Sequence, residues 1–317
     1  MRGVFLDRNS LDLDDLDFNL LEQVVDQWQY YDETDDSQVL HRISNADVVV
    51  SNKVILSEEI LSQAKSLKVI CVAATGTNNV DLDAAKENHI QVCNVRAYGT
   101  ASVVQHVFAL LLSLVRNLPA YQQAVQQDAW QKSKQFCMMD YPITELTGKV
   151  IGIVGYGELG KAVAKVAEAF GMTVKLAQRP GDKIKTGRLP LPELLGEVDV
   201  LTLHCPLTPD TNNLIGEAEL ARMKSDAILI NTARGGIVDE PALANALLNK
   251  KLGGAGIDVL QTEPPKQGNP LLESNIPNLI VTPHMAWASR ESRQRLLNQV
   301  AENIHSYQSG ILNNRIV

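Results

Sequence analysis

The chain has 317 residues, 45% of them hydrophobic and 21% charged, enough for two compact units that each bury a core. Lysine and arginine number 29 against 37 aspartates and glutamates, and the resulting net charge of −8 disfavours a phosphate backbone or an anionic membrane as partner. No apolar run reaches membrane-spanning length, the opening MRGVFLDRNS has no apolar stretch behind a basic tip, and the four scattered cysteines form no C-x-x-C pair. We therefore expect a cytoplasmic protein with reduced thiols and no export signal.

From the N-terminus, the β-branched runs GVFL, ADVVVS, LKVICVAA and IQVCNV alternate with segments of helical spacing such as SEEILSQAKS and DLDAAKENH. The series breaks at TASVVQHVFALLLSLVRNLPAYQQAVQQDAW, a long apolar helix ended or kinked near Pro119, and a domain boundary is expected at its start. The alternation then resumes with KVIGIVG, TVKLA, VDVLTLH, AILINT, GAGIDV and NLIVTPH, between helices such as LGKAVAKVAEAFG and DEPALANALLNK. The last helical stretch, WASRESRQRLLNQVAENIHSYQSG, can fold back to complete the first domain. Strands that are apolar throughout, rather than alternating, belong to parallel sheets covered by helices on both faces. The fold class predicted is α/β with two doubly wound parallel-sheet domains. Residues 1–98 with 288–317 form one, and residues 99–287 form a dinucleotide-binding domain.

In VIGIVGYGELG, Gly155, Gly157 and Gly160 stand in a G-x-G-x-x-G between an apolar strand and a helix. The first glycine suits a tight turn, the second the approach of a pyrophosphate, and the third close helix–sheet packing. The helix opening at Glu158 and Leu159 presents N–H groups to anionic oxygens. The following strand normally ends in an acidic residue that binds the adenosine ribose, but Gln178 stands there, followed by Arg179. A carboxylate would repel a 2′-phosphate, whereas an amide and a guanidinium accept it, so both NAD and NADP are candidate cofactors.

Three polar residues then end three different apolar segments: Arg234 in LINTARGG, Glu263 in GIDVLQTEPP and His284 in LIVTPHMAW. Strand carboxyl ends are where open α/β sheets bind ligands. Reduction of a 2-oxo acid needs a cation for its carboxylate and carbonyl, which suits Arg234, and an acid for the developing alkoxide, which suits His284. Glu263 would orient the imidazole and raise its pKa. Taken singly, Arg234 could cap a helix, Glu263 could be a solvated loop charge, and His284 a strand-end histidine. Of the other histidines, His41, His89 and His305 read as surface positions, His106 as packed in the long helix, and His204 as a cofactor wall. No H-E-x-x-H or Cys/His cluster suggests a metal.

The stretches AATGTNNVDLDAA, VGYGELGKAVAKVAEAFGM, LHCPLTPDTNNLI, MKSDAILINTARGGIVDEPAL, GGAGIDVLQTEPP and NLIVTPHMAWAS together resemble the D-isomer-specific 2-hydroxyacid dehydrogenase family over almost the whole chain. The resemblance implies a Rossmann dinucleotide-binding domain inserted in a flavodoxin-like substrate domain. It makes Arg234, Glu263 and His284 catalytic and assigns Thr75 and Gly76, with Arg234 and His284, to substrate. It sets Cys205, Pro206, Thr211, Thr232, Ala233, Asp258 and Ala286 beside His204 on the cofactor, Asp258 near the nicotinamide amide. NVRAYGTASVVQH and DAWQKSKQFCMMDYPITEL look most like the glycerate dehydrogenase or hydroxypyruvate reductase branch. The activity this implies is reduction of hydroxypyruvate or glyoxylate by NAD(P)H in a homodimer with no membrane or nucleic-acid partner. The alternatives are a D-3-phosphoglycerate dehydrogenase activity without the added regulatory domain many of those enzymes carry, or a dinucleotide-sensing scaffold resembling corepressors. Glu263 argues against the formate dehydrogenase branch, whose histidine pairs with glutamine.

Overall fold

The run VVVS at residues 48–51 is buried at every position, as a strand covered on both faces must be. It is central to one of two parallel sheets in the computed structural model, which describes residues 1–11, 13–179, 185–273, 275–311 and 313–317. The chain divides into two units, Met1–Gly99 with Trp287–Val317, and Thr100–Ala286.

The first unit contains β1 (Arg2–Phe5), β2 (Gln27–Tyr30), β3 (Val48–Ser51), β4 (Val69–Val72) and β5 (Gln91–Cys93), in the spatial order β2-β1-β3-β4-β5. All neighbours are parallel, and the order is that of flavodoxin-like sheets. Alternate residues feed two cores. Val4, Val49, Ile70 and Val92 join one, while Phe5, Val50, Cys71 and Cys93 join the other together with Leu296, Leu297, Val300 and Ile304 of the helix Arg290–Gln308. That helix is held by Arg293, which is 7% exposed and grips both oxygens of Asp15 at 2.6 and 2.7 Å while donating to the Leu11 carbonyl. β2 is not legible as an apolar run. It is an edge strand, QWQY, in which only Trp28 and Tyr30 pack toward the core.

The second unit contains β6 (Val150–Val154), β7 (Thr173–Ala177), β8 (Arg188–Leu189), β9 (Val200–Leu203), β10 (Ile228–Asn231), β11 (Gly254–Ile257) and β12 (Leu279–Val281). They lie in the order β12-β11-β10-β9-β6-β7-β8, all parallel, so the strand order reverses between β6 and β9. Counted within the unit this is the 3-2-1-4-5-6 order of dinucleotide-binding sheets with one further strand. The expected long helix is two helices, Thr100–Val115 and Leu118–Gln126, bent by 60° at Asn117, whose φ is +50°. Pro119 sits in the first turn of the second helix, where its missing N–H removes no helical hydrogen bond. Among the described residues no single helix is long and apolar enough to cross a membrane.

The amino ends of β6 and β9 are joined by Asp199. One oxygen accepts the Val150 N–H at 2.7 Å, and the other accepts the Lys224 ammonium at 2.9 Å. Burial raises the Asp199 pKa, but these bonds and the nearby Lys149 outweigh it and hold the carboxyl below its ordinary value. A depressed folded-state pKa contributes stability above the ordinary carboxylate range, and this is lost as pH falls through the folded value. Asp199→Ala should therefore lower stability at pH 7 by ~2 kcal/mol. The difference from wild type should shrink in urea titrations as the pH is taken through and below the carboxylate range.

Candidate active site

The glycine turn follows β6. Gly155 has φ +93°, and a β-carbon there would meet the backbone of His204 and Cys205 at 2.5–2.6 Å. A β-carbon on Gly160 would come within 2.1 Å of the Gly155 carbonyl oxygen, so the turn and the helix Glu158–Ala169 close only without side chains. Around Gly157 the result is opposite, with nothing within 4 Å of a β-carbon. The helix N-terminus opens onto that space, where a pyrophosphate can approach the backbone. Glu158 is the first helical residue and accepts a hydrogen bond from Thr100 Oγ1, and Leu159 is half-buried beside it.

Across the strand-order reversal, His204 follows β9 and Thr232 follows β10. Among the described residues, His204 Nδ1 and Thr232 Oγ1 are buried with no hydrogen-bond partner. Burial pushes the His204 pKa down to about 4, so the ring is neutral, with Nε2 2.9 Å from Thr202 Oγ1. Two orphaned polar atoms on adjacent strand ends beside an open glycine cradle fit a bound dinucleotide. Cys205 and Pro206 continue the same loop, where burial raises the Cys205 thiol. Thr211 folds that loop by donating to the Pro206 carbonyl at 2.7 Å and accepting the Thr208 N–H. At the end of β7 the Gln178 amide oxygen accepts the Lys185 N–H at 3.1 Å, and Arg179 is exposed. Arg188 in β8 donates to the Ala177 carbonyl at 3.3 Å, bringing a second guanidinium to the same strand end. Pro180, Gly181 and Asp182, which follow Arg179, lie outside the described residues.

Arg234, Glu263 and His284 come from the carboxyl ends of β10, β11 and β12, three consecutive neighbours in the sheet. Asn231 shapes the first turn, accepting the Ala233 N–H and donating to the Arg234 carbonyl, both at 3.0 Å. Arg234 is exposed, and one guanidinium N–H rests on the Ala233 carbonyl at 2.7 Å. Gly235 lies so close to the next loop that a β-carbon would sit 1.9 Å from the Leu260 carbonyl oxygen. That loop is closed by Glu263, whose Oε1 accepts the Leu260 N–H at 2.8 Å. Its Oε2 lies 2.6 Å from His284 Nδ1. A carboxylate only accepts, so Nδ1 carries a proton and donates it to Glu263. The ring is 28% exposed.

His284 has φ +52°, a left-handed conformation uncommon for a residue with a β-carbon. Its N–H donates to the Asp258 carbonyl at 2.8 Å and to the Thr282 carbonyl at 3.0 Å. The Asp258 side chain, 1% exposed, accepts the Thr282 hydroxyl at 2.6 Å and the N–H groups of Met285 and Ala286 at 2.9 Å. Burial raises the Asp258 pKa, but His106, Thr282, Ala286 and Met285 together hold it below its ordinary value. Asp258 thus clamps the His284 loop, and Ala286 is a buried part of that loop. Thr75 and Gly76 belong to the other unit, in the loop after β4, where Thr75 Oγ1 donates to the Val95 carbonyl and the Asn94 amide to the Thr75 carbonyl.

Sequence reasoning missed the polar parts played by Asn231, Thr282 and His106. His106 is indeed largely buried, but its Nε2 lies 3.0 Å from Thr282 Oγ1 and 3.4 Å from Asp258 Oδ1. The available signal was the rule that a polar ring on a buried helix face needs a partner. Among the described residues no cluster of histidine, cysteine or acidic side chains could hold a metal ion.

Residues 108–286 match the family model of the D-isomer specific 2-hydroxyacid dehydrogenase NAD binding domain. The chain is 47% identical to a glycerate dehydrogenase of Methylorubrum extorquens, over 97% of this chain and 96% of that one. It is 39% identical to a hydroxypyruvate reductase of Blautia hydrogenotrophica, over 98% of each. Among solved structures, the TT0316 protein of Thermus thermophilus superposes over the full length of both chains with a TM-score of 0.87 and 34% identity. A glycine cradle at the strand-order reversal, a carboxylate-paired histidine two strands from an exposed arginine, and similarity over nearly every residue agree: the chain belongs to the D-isomer specific 2-hydroxyacid dehydrogenase family, oxidoreductases that use a nicotinamide dinucleotide.

Proposed function

We propose that the protein reduces a small 2-oxo acid, hydroxypyruvate or glyoxylate, to the D-2-hydroxy acid, with His284 as the acid. The observation that carries this reading is the 2.6 Å pair between His284 Nδ1 and Glu263 Oε2, on a ring partly open to solvent. Support for the substrate class comes from the relatives named glycerate dehydrogenase, hydroxypyruvate reductase and, at 34% identity in Korarchaeum cryptofilum, glyoxylate reductase. The bound dinucleotide supplies the hydride. Its pyrophosphate would lie at Gly157 and the helix N-terminus, with His204 and Thr232 lining the pocket. Arg234 keeps N–H groups beyond the one on Ala233 and uses them to hold the substrate carboxylate and polarise the adjacent carbonyl. Glu263 fixes the ring so that Nε2 delivers its proton to the carbonyl oxygen, and in the reverse direction Nε2 takes the hydroxyl proton. The same reading keeps Thr75 and Gly76 for substrate.

Two finer assignments belong to this proposal. NADPH is accepted as well as NADH, because the end of β7 carries Arg179 and Arg188 and no carboxylate at position 178. The protein acts in the cytoplasm as a homodimer, for which the exposed Trp130, Phe136, Met139 and Ile143 provide apolar surface.

His284→Ala should reduce kcat/KM for hydroxypyruvate by roughly 10²- to 10⁴-fold at pH 7 while NADH binding, followed by its fluorescence, stays unchanged. Turnover equal to wild type would remove the acid role. Gln178→Asp should lower kcat/KM with NADPH by about tenfold or more and spare NADH. An equal effect on both cofactors would show that position 178 does not read the phosphate. Light scattering should return twice the chain mass, and a monomer mass would reject the dimer.

A further inference from the structure

The loop that carries His284 is held from two directions. From the sheet, Asp258 accepts the N–H groups of Met285 and Ala286, and its carbonyl accepts that of His284. From the side, the helix Thr100–Val115 presents Ser102 and His106, four residues apart and so on one face. Ser102 Oγ donates to the Ala286 carbonyl at 2.7 Å, and His106 Nε2 lies 3.0 Å from Thr282 Oγ1. The loop is thereby bracketed, with one contact of the helix just before His284 and one just after it.

The direction of the His106 contact follows from its neighbours. Asp258 is held ionised and can only accept, so the single hydroxyl proton of Thr282 goes to Asp258 Oδ1 at 2.6 Å. Toward His106 the Thr282 oxygen is then an acceptor, and His106 must carry its proton on Nε2. That N–H also faces Asp258 Oδ1 at 3.4 Å. A neutral apolar side chain at position 106 would leave the Thr282 oxygen without its donor and take one of three donors from Asp258 Oδ1, which keeps the Thr282 hydroxyl and the Met285 N–H.

We propose that His106 is a positioning residue for the acid/base histidine: its Nε2–H, bonded to Thr282 and facing Asp258, sets the clamp that holds residues 284–286 with His284 in its left-handed conformation. His106 touches no reacting atom in this account. It acts through Thr282 and Asp258 on the placement of the His284 ring against Glu263. This rests on the acid role given to His284 above, but the clamp itself is readable without turnover.

The test compares His106→Leu, which removes the donor, with His106→Gln, whose amide nitrogen can replace Nε2, and with Thr282→Val, which removes the hydroxyl at similar volume. The first readout is the Cε1–H NMR signal of the His284 ring in histidine-labelled, ligand-free protein, assigned by its loss in His284→Ala. The signal should move in the Leu and Val variants and return to its wild-type position in the Gln variant. The second readout is steady-state kinetics with hydroxypyruvate and NADH. The Leu and Val variants should lose kcat by about 10- to 100-fold with KM for NADH within about twofold, and the Gln variant should recover most of it. Displacement of the His284 signal with rescue by Gln supports the clamp, even if the wild type were to turn over neither 2-oxo acid. An unmoved signal in the Leu and Val variants, or equal losses in Leu and Gln that follow thermal stability alone, would overturn it.

Discussion

A carboxylate with almost no access to water must find every partner inside the protein, and Asp258 shows how far that requirement reaches. With 1% exposure it collects the Thr282 hydroxyl and two consecutive backbone N–H groups, while its own carbonyl takes the N–H of His284. Leaving such a group unsatisfied costs about 1–3 kcal/mol or more, comparable with the strain of a left-handed non-glycine residue. The bonds to Asp258 therefore make the unusual conformation of His284 the stable one. Without them, residues 284–286 would lose the carboxylate that accepts two consecutive N–H groups just beyond His284.

The clamp can exist because β11 and β12 are adjacent and parallel, with Ile257 opposite Val281. Parallel strands bring all their carboxyl ends to one edge, so residues far apart in the chain, Arg234, Glu263 and His284, emerge on neighbouring loops there. Close approach of those loops depends on missing side chains, at Gly235 against Leu260 and at Gly155 against His204 and Cys205. The glycines at 155 and 160 close the turn after β6, and Gly157 leaves its opening clear.

Much of this architecture was legible because it is written in periodicity and residue type. Apolar runs of four or five residues marked the buried strands, and the G-x-G-x-x-G marked the turn after β6. What escaped were elements whose signal is weak for a physical reason. β2 is an edge strand with one polar side, and β8 is two residues long, so neither forms an apolar run. His106 was readable as packed but not as a donor, since its partner Thr282 lies 176 residues away. Arg188 escaped because it reaches the end of β7 only through the pairing of β7 with β8.

By itself the sequence determined the two doubly wound units, the dinucleotide loop and the identity of the three polar residues that end β10, β11 and β12. Local propensity and hydrophobic spacing act within a few residues and survive without the fold. Only the tertiary structure decided which atoms meet: Glu263 Oε2 with Nδ1 of His284, Asp258 with the backbone beyond it, and His106 with Thr282. Those pairings depend on strand order and on the helix that packs beside the sheet. Burial, by forcing each polar atom to find a partner, selected them.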